Sequence, residues 1–239
     1  MHRLGSRRFA WLSLLPYCRN HFENTNKLLR EWFRVAHLML TSKKGISALQ
    51  IQRVMGFGSC GTAHSMCHKI RAALVEPEIK LGGIVEVDKT HAGGSNRNRD
   101  WGKKLPRTGV AAKAIVIGAV KRNGNAIARL IANTNTETLD GFVREAVSEK
   151  VSLLATDEHS RELDDIFPHG VVSHSKKQYV NGAIHTQTID GFWSLLKRDI
   201  MGSFHKVSRK YMPLYVAEFQ FRYNLRMNDD IFGTAISGV

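Results

Sequence analysis

Asp88, Asp157 and Asp190 stand 69 and 33 positions apart, and Lys197 follows the last of them by seven. Asp190 and Lys197 fall in "HTQTIDGFWSLLKR", residues 185–198, where Ile189, Phe192, Trp193, Leu196 and, just beyond, Ile200 recur at helical spacing. That apolar stripe reads as core. Positions seven apart on a helix lie two turns apart and nearly in line, so Asp190 and Lys197 share a second, polar face with Gln187 and Ser194. An acid and a base that burial does not explain invite a chemical reading. Three carboxylates in one hollow repel one another unless a cation neutralises them. Hard oxygen ligands with open positions suit Mg²⁺ or Mn²⁺. Two such ions can activate an attacking oxygen and stabilise the leaving oxygen of a phosphodiester, and Lys197 would hold the phosphate backbone beside them.

Different elements must deliver these groups to one place. "GIVEVDKTHAGG" predicts a strand, with Val85 and Val87 on one face and Ile84, Glu86 and Asp88 on the other. Glu86 therefore competes with Asp88 for its role, as Glu158, Asp164 and Asp165 do with Asp157. Asp157 also reads as a cap or turn residue, and Asp190 as a first-turn acid complementing the helix dipole. "AAKAIVIGAVKRNGNAIARLIAN" is a hairpin around Asn123-Gly124. A helix over "TNTETLDGFVREAVSEK" follows, then a strand "VSLLATDE" ending in acids, and a strand "GVVSH". After the helix of 185–198, "VSRKYMPLYVAEFQFRYNLR" predicts a helix broken at Pro213. The order β-β-β-α-β-β-α-α, with 158–168 unassigned, predicts an α/β domain: a mixed sheet with helices on its faces. Neighbouring first and fourth strands would bring Asp88 and Asp157 together.

The residues before the connector "EPEIKLGG" have a different texture, and a domain boundary is expected there, giving 1–80 and 81–239. Residues 24–40 carry apolar residues at helical spacing. A helix starting near Ser47, a turn in "GFGSCG" and a helix over 62–74 form a helix-turn-helix or a plain αα-hairpin. The second helix would turn His64, Ser65, His68, Lys69 and Arg71 outward. The chain carries 35 Lys+Arg against 21 Asp+Glu, a formal net charge of +14, and residues 1–80 alone hold 13 against 4. Such a field favours a polyanion, and nucleic acid is the commonest. The helix with His64, Lys69 and Arg71 and the loop with Arg97, Arg99, Lys103, Lys104, Arg107 and Lys113 are the expected DNA contacts. Three cysteines without a CxxC pair give neither a disulfide framework nor a cysteine-based zinc site. His91, His159, His169, His174, His185 and His205 fall in no metal-binding pairing and predict surface or hydrogen-bonding roles. The short apolar run near residue 13 is interrupted by polar residues and Pro16, and no stretch reaches the ~20 residues of a membrane span. A cytoplasmic protein is expected.

Several stretches in order resemble the blocks of bacterial insertion-sequence transposases of the DDE superfamily: "VEVDKTHAGG", "VIGAV", "TDEHSRE", "VSHSKKQYVNGAIHTQTIDGFWSLLKR" and "EFQFRYN". "REWFRVAHLMLTSKKGISALQIQRVMGF" resembles that group's segment before the catalytic domain, so the likeness spans roughly residues 24–228. The group runs zinc ribbon, helix-turn-helix, RNase H-like domain. The resemblance implies that Asp88, Asp157 and Asp190 are the metal-binding acids, with Lys197 their basic companion, and that Arg222 and Asn224, in the last block, meet DNA, although a solvated face of a terminal helix reads equally well. It implies an RNase H-like α/β domain after a small all-α helix-turn-helix region, and two Mg²⁺ or Mn²⁺ ions. It also implies cleavage and strand transfer on double-stranded DNA, at the element's terminal inverted repeats and a target, by a homodimer or higher oligomer at the bacterial nucleoid. Asp190 stands where the group usually has Glu, Gln187 where it has Asn and Lys89 where it has an acid, and no zinc ribbon is found. The alternative is a truncated or diverged DNA-binding remnant without catalysis.

Overall fold

A computed structural model describes residues 25–76, 79–93, 113–156, 161–171 and 185–237. Asp157 and the loop residues Arg97, Arg99, Lys103, Lys104 and Arg107 lie outside the described residues. The chain divides into two compact units, Met1–Glu76 with Ala217–Val239, and Pro77–Val216.

The second unit is built on a five-stranded sheet. Its strands are β1 (Leu81–Ala92), β2 (Ala114–Lys121), β3 (Ala126–Ile131), β4 (Val147–Thr156) and β5 (His169–Val171), in the order β3-β2-β1-β4-β5. The β1–β2 and β2–β3 pairings are antiparallel, while β1–β4 and β4–β5 are parallel. This mixed α/β arrangement is consistent with an RNase H-like fold, and it makes the first and fourth strands neighbours. Residues 121–125 turn the β2–β3 hairpin, with Asn123 in the left-handed region at φ 57° and Lys121 N–H donating to Asn125 O at 2.9 Å.

Alternation along β1 sorts its side chains to two faces. Leu81, Val85 and Val87 join Ile117, Ala119, Leu154 and the helix residues Phe142, Val143 and Ala146 in one core. Glu86 and Asp88 alternate with them and meet the helix of 187–199. The crossover helix is shorter than its sequence suggests: it spans Thr136–Ala146, and Val147 is already extended at φ −107°, ψ 136°. Val147 pairs with Leu81 and is buried in that same core, so strand pairing overrides the helical pattern of "VSEK". The unassigned stretch holds a single helical turn, Arg161–Asp164.

The helices are α1 (Leu29–Thr41), α2 (Ala48–Met55), α3 (Cys60–Ala73), α4 (Thr136–Ala146), α5 (Arg161–Asp164), α6 (Gln187–Asp199), α7 (Met212–Asn224) and α8 (Ile231–Ser237). A π-helical turn, Ile200–Phe204, extends α6. Pro213 falls in the first turn of α7 instead of breaking it. A first-turn proline gives up no intrahelical hydrogen bond.

The first unit packs Trp32, Val35 and Met39 of α1 against Ile51 of α2 and Ala63, Met66 and Ile70 of α3. Ser47 caps α2 by accepting from Gln50 N–H, and Gly56 ends it in the left-handed region at φ 68°. Ser59 caps α3, which starts at Cys60, two residues before its expected start. The sequence places 217–239 with the sheet, and the structure corrects this. Phe221, Ile231, Phe232 and Ala235 pack on the helical core, and Phe232 meets Phe33 edge-on with ring centroids 6.5 Å apart. Glu76 accepts from Gln220 Nε2 and Asn224 Nδ2, each at 2.8 Å. Arg222 donates to the backbone oxygens of Ser42 and Lys43 at 3.2 and 3.3 Å.

Arg71, expected to face outward, is 2% exposed, and its Nε donates to Glu218 Oε2 at 2.6 Å, with Glu218 1% exposed. A buried guanidinium needs its carboxylate. Glu218→Ala is expected to destabilise the helical unit by about 3–5 kcal/mol, because it strands a charge in the core. An Arg71→Met, Glu218→Leu pair should recover much of that. Chemical denaturation of the two variants against the parent checks both statements.

Candidate functional site

Helix α6 carries Asp190 and Lys197, and what fixes its start is the side chain of Glu86 on β1. The first N–H groups of a helix have no partner within it. In α6 no side chain of Thr186 caps them. Instead Glu86 Oε2 accepts from Thr188 N–H at 2.7 Å and Ile189 N–H at 3.0 Å. Its Oε1 accepts from Thr188 Oγ1–H at 2.9 Å and from Arg122 Nε–H at 2.7 Å. His185 Nδ1 stands 3.4 Å from the same oxygen. Glu86 is 0% exposed. Arg122 and the positive end of the helix dipole compensate its charge, and Arg122 also donates to His185 O at 3.1 Å. A carboxylate offers about four acceptor sites, and these four donors fill them. Glu86 is an anchor, not a rival ligand to Asp88.

A second clamp joins α6 to the sheet. Trp193 Nε1–H donates to Asp88 Oδ2 at 2.9 Å. The indole reaches that oxygen by lying over β2 at Gly118, the residue paired with Asp88 across the β1–β2 ladder. A Cβ at Gly118 would stand 2.7 Å from Trp193 Cη2 and 2.9 Å from Cζ2. Only glycine leaves room for the ring. Ile189, Phe192, Trp193, Leu196 and Ile200 are all buried, as their spacing predicts, and Asp190 and Lys197 are exposed on the other face.

That face and the central strand β1 flank a cleft of about 570 Å³, lined by Asp88, Asp190, Lys197, Trp193, Ser194 and Lys89 among others. The fold thus gathers Asp88, Asp190 and Lys197. Asp88 and Asp190 each offer carboxylate oxygens to this cleft, and the Lys197 ammonium can meet an anion there. Among the described residues no group of three His, Cys, Asp or Glu gathers at one point. Two hard oxygen donors fit Mg²⁺ or Mn²⁺, which keep several waters and often take only one or two carboxylates. Asp157 follows Thr156, which pairs with Val87, the residue before Asp88. Thr156 Oγ1 lies 2.7 Å from His169 Nε2, and His169 Nδ1 lies 2.5 Å from Asp164 Oδ1. Asp164 thus serves to tie the end of β4 to β5.

The remaining sequence-predicted residues lie in the helical unit. His64 is exposed on α3 and stacks on His68 with ring centroids 4.1 Å apart. Burial, then His64 and Arg71, lowers the His68 pKa to about 4. Lys69 is half-buried with its Nζ 5.9 Å from the Trp32 ring centroid. Arg71, Arg222 and Asn224 are held in the internal contacts described above. Of the residues expected to meet DNA from this unit, the exposed one is His64.

Among described residues, no helix is long and apolar enough to cross a membrane. A family model described as ISXO2-like transposase domain matches residues 80–224. An "Uncharacterized protein in transposable element ISH50" of Halobacterium salinarum (strain ATCC 700922 / JCM 11081 / NRC-1) is 26% identical over 229 residues, covering 84% of this chain and 71% of that protein.

Two substitutions test how α6 is held. Glu86→Gln keeps the shape but puts an amide N–H₂ against helix donors. Hydrogen exchange at the Thr188 and Ile189 amides should accelerate about tenfold, for a loss of about 1.4 kcal/mol. Gly118→Ala should displace the Trp193 indole at a cost of about 1–3 kcal/mol. The indole N–H signal in a ¹⁵N NMR spectrum should lose its protection from exchange, while Trp32 is unchanged.

Proposed function

The chain belongs to the ISXO2-like transposase domain family, and on that premise we propose that it cleaves DNA at the ends of an insertion sequence and joins them to a target. The observation that carries this reading is the convergence of Asp88, Asp190 and Lys197 on one cleft. The reaction is two phosphoryl transfers. In the first, water attacks a phosphorus at the element end, the bond to the 3′ oxygen breaks, and a 3′-OH is released. In the second, that 3′ oxygen attacks a phosphorus of the target, displaces the target's own 3′ oxygen and joins element to target.

Asp88 and Asp190, with Asp157, would hold Mg²⁺ or Mn²⁺, two ions in all. Bound there, the ions would lower the pKa of the attacking hydroxyl and neutralise the charge gathering on the phosphate. Trp193 keeps Asp88 in one orientation toward the cleft. Lys197 meets a non-bridging oxygen of the phosphate and holds it in line with the attacking group. Glu86 sets the position of Asp190 and Lys197 together, because both ride on the helix it anchors. Asp190 is one methylene shorter than Glu, so its carboxylate reaches less far into the cleft, and catalysis is sensitive to displacements of that size.

The test is a cleavage and strand-transfer assay on DNA carrying the element's ends, with Mg²⁺ or Mn²⁺, comparing the parent chain with Asp190→Asn and Asp190→Glu. Asp190→Asn should abolish both steps and leave DNA binding within about a factor of two, because metal ligands act as a unit. Full activity in Asp190→Asn would overturn the assignment of the third acid. A silent parent that gains activity as Asp190→Glu would identify a diverged copy whose site is otherwise preserved.

A further inference from the structure

The chain leaves α6 through the π-helical turn Ile200–Phe204 and arrives at His205 with a strained backbone. The φ of 56° and ψ of −43° at His205 fall outside the helical regions of either hand. Across it Lys206 N–H donates to Phe204 O at 2.5 Å, closing a γ-turn of the rarer, strained kind. Glycine would adopt this conformation without a Cβ penalty, yet a histidine occupies it. Strain of this sort persists where the surrounding structure imposes it, and it gathers at active sites and ligand clamps.

Apolar anchors impose it here. Phe204 meets Tyr215 edge-on with ring centroids 4.7 Å apart, and Val207 and Met212 are buried. Ser208 O accepts from Tyr211 N–H at 3.1 Å and from Met212 N–H at 3.0 Å, which ties down the next turn. Between these anchors His205, Lys206, Ser208, Arg209 and Lys210 are all exposed. Lys210 Nζ lies 5.3 Å from the Tyr211 ring centroid. Among the described residues no acid forms an ion pair with Lys206, Arg209 or Lys210, and residues 200–217 contain no acid. Asp199 and Glu218, the nearest acids along the chain, are buried. The loop therefore presents three cations on a backbone that is already fixed. Such a surface suits a polyanion, because little ordering remains to be done when it binds.

The place of the loop in the fold says which polyanion. Met201 lines the cleft with Asp190 and Lys197, and four residues of chain carry His205 at most ~14 Å beyond it. A DNA strand advances about 3.4 Å per nucleotide along the helix axis, so that reach is about four nucleotides. We propose that residues 205–210 are a docking surface for the duplex that flanks the reacting phosphate, with Lys206, Arg209 and Lys210 each on a backbone phosphate. The turn at His205 aims them. This rests on the reading of the chain as acting on DNA, and it gives the bound strand a path along α6 and past its end. Backbone contacts of this kind position a duplex without reading its bases.

The experiment uses the full chain and a fluorescein-labelled, mixed-sequence duplex of 20 base pairs. Lysines of the parent chain are reductively methylated with and without the duplex and followed residue by residue by mass spectrometry. The duplex should slow modification of Lys206 and Lys210 several-fold and leave Lys150, exposed on β4, unchanged. In parallel, the Lys206→Gln, Arg209→Gln, Lys210→Gln triple variant should make the slope of log K against log salt shallower by about 2.7, at about 0.9 per lost duplex contact. Thermal melting of the variant confirms that it folds. His205→Gly separates the turn from the charges: it should melt a few degrees higher, its strain relieved, and bind the duplex several-fold more weakly. Equal modification rates with and without the duplex, or an unchanged salt slope, would overturn the surface. A His205→Gly chain that binds as tightly as the parent would overturn the role of the turn. Protection at both lysines in a chain that never cleaves DNA would keep the surface and sink the cleavage reading. Cleavage without protection would do the reverse.

Discussion

Glu86 places a full negative charge where no water reaches it, and α6 can occupy only the position that answers that charge. Two of the helix's first N–H groups and the Thr188 hydroxyl converge on its oxygens, and Arg122 closes the set from the β2–β3 hairpin. Sliding α6 by one residue would exchange these donors for others pointing elsewhere and leave a buried carboxylate unmatched, a cost of several kcal/mol. The apolar stripe of α6 cannot supply such precision by itself, since a greasy face packs almost as well a fraction of a turn away. The charge fixes the register, and the stripe supplies the bulk of the burial.

From that anchor the rest of the cleft follows by rigid geometry. Trp193 stands about one helical turn beyond Ile189, and its ring comes to rest over Gly118, beside Asp88. The strand ladder aligns Asp88 with Gly118, so the residue that needs orienting and the gap that admits its partner sit at the same rung. Asp190 and Lys197 then fall on the face turned away from the core. Three elements that are far apart in the chain thus meet with little freedom left to any of them.

Much of this is legible in the residues. The alternation of "IVEVD" separates core from cleft along β1, and the stripe of α6 tells which face of the helix is buried. Asn123-Gly124 marks the hairpin, and the mixed-sheet reading brings β1 beside β4. The anchoring role of Glu86 is not legible, because its helix partners lie about a hundred positions away and a lone acid beside Asp88 reads as a second candidate ligand. Trp193 looks like core because an indole's hydrogen bond leaves no mark on periodicity. Gly118 looks like one more small residue in a strand. Arg71 misleads for the opposite reason: a basic residue on a basic helix looks exposed until Glu218, 147 positions later, is seen to bury it. Local patterns report which face is wet, whereas long-range polar pairs can reverse that report at single residues.

The helical unit is written in two pieces of chain, Met1–Glu76 and Ala217–Val239, and this has a consequence in time. A ribosome adding roughly 5–20 residues per second makes Arg71 well before Glu218, with a delay on the order of ten seconds at those rates. Throughout that interval the guanidinium has no carboxylate to meet, and Phe221 and Phe232 have not arrived to cover the core around Met39. The sheet-bearing unit, Pro77–Val216, is uninterrupted and can settle first. Newly made protein therefore passes through a stage in which its first-synthesised helices are the last to be completed. A message that ends early yields a chain in which those helices stay open to proteases and chaperones.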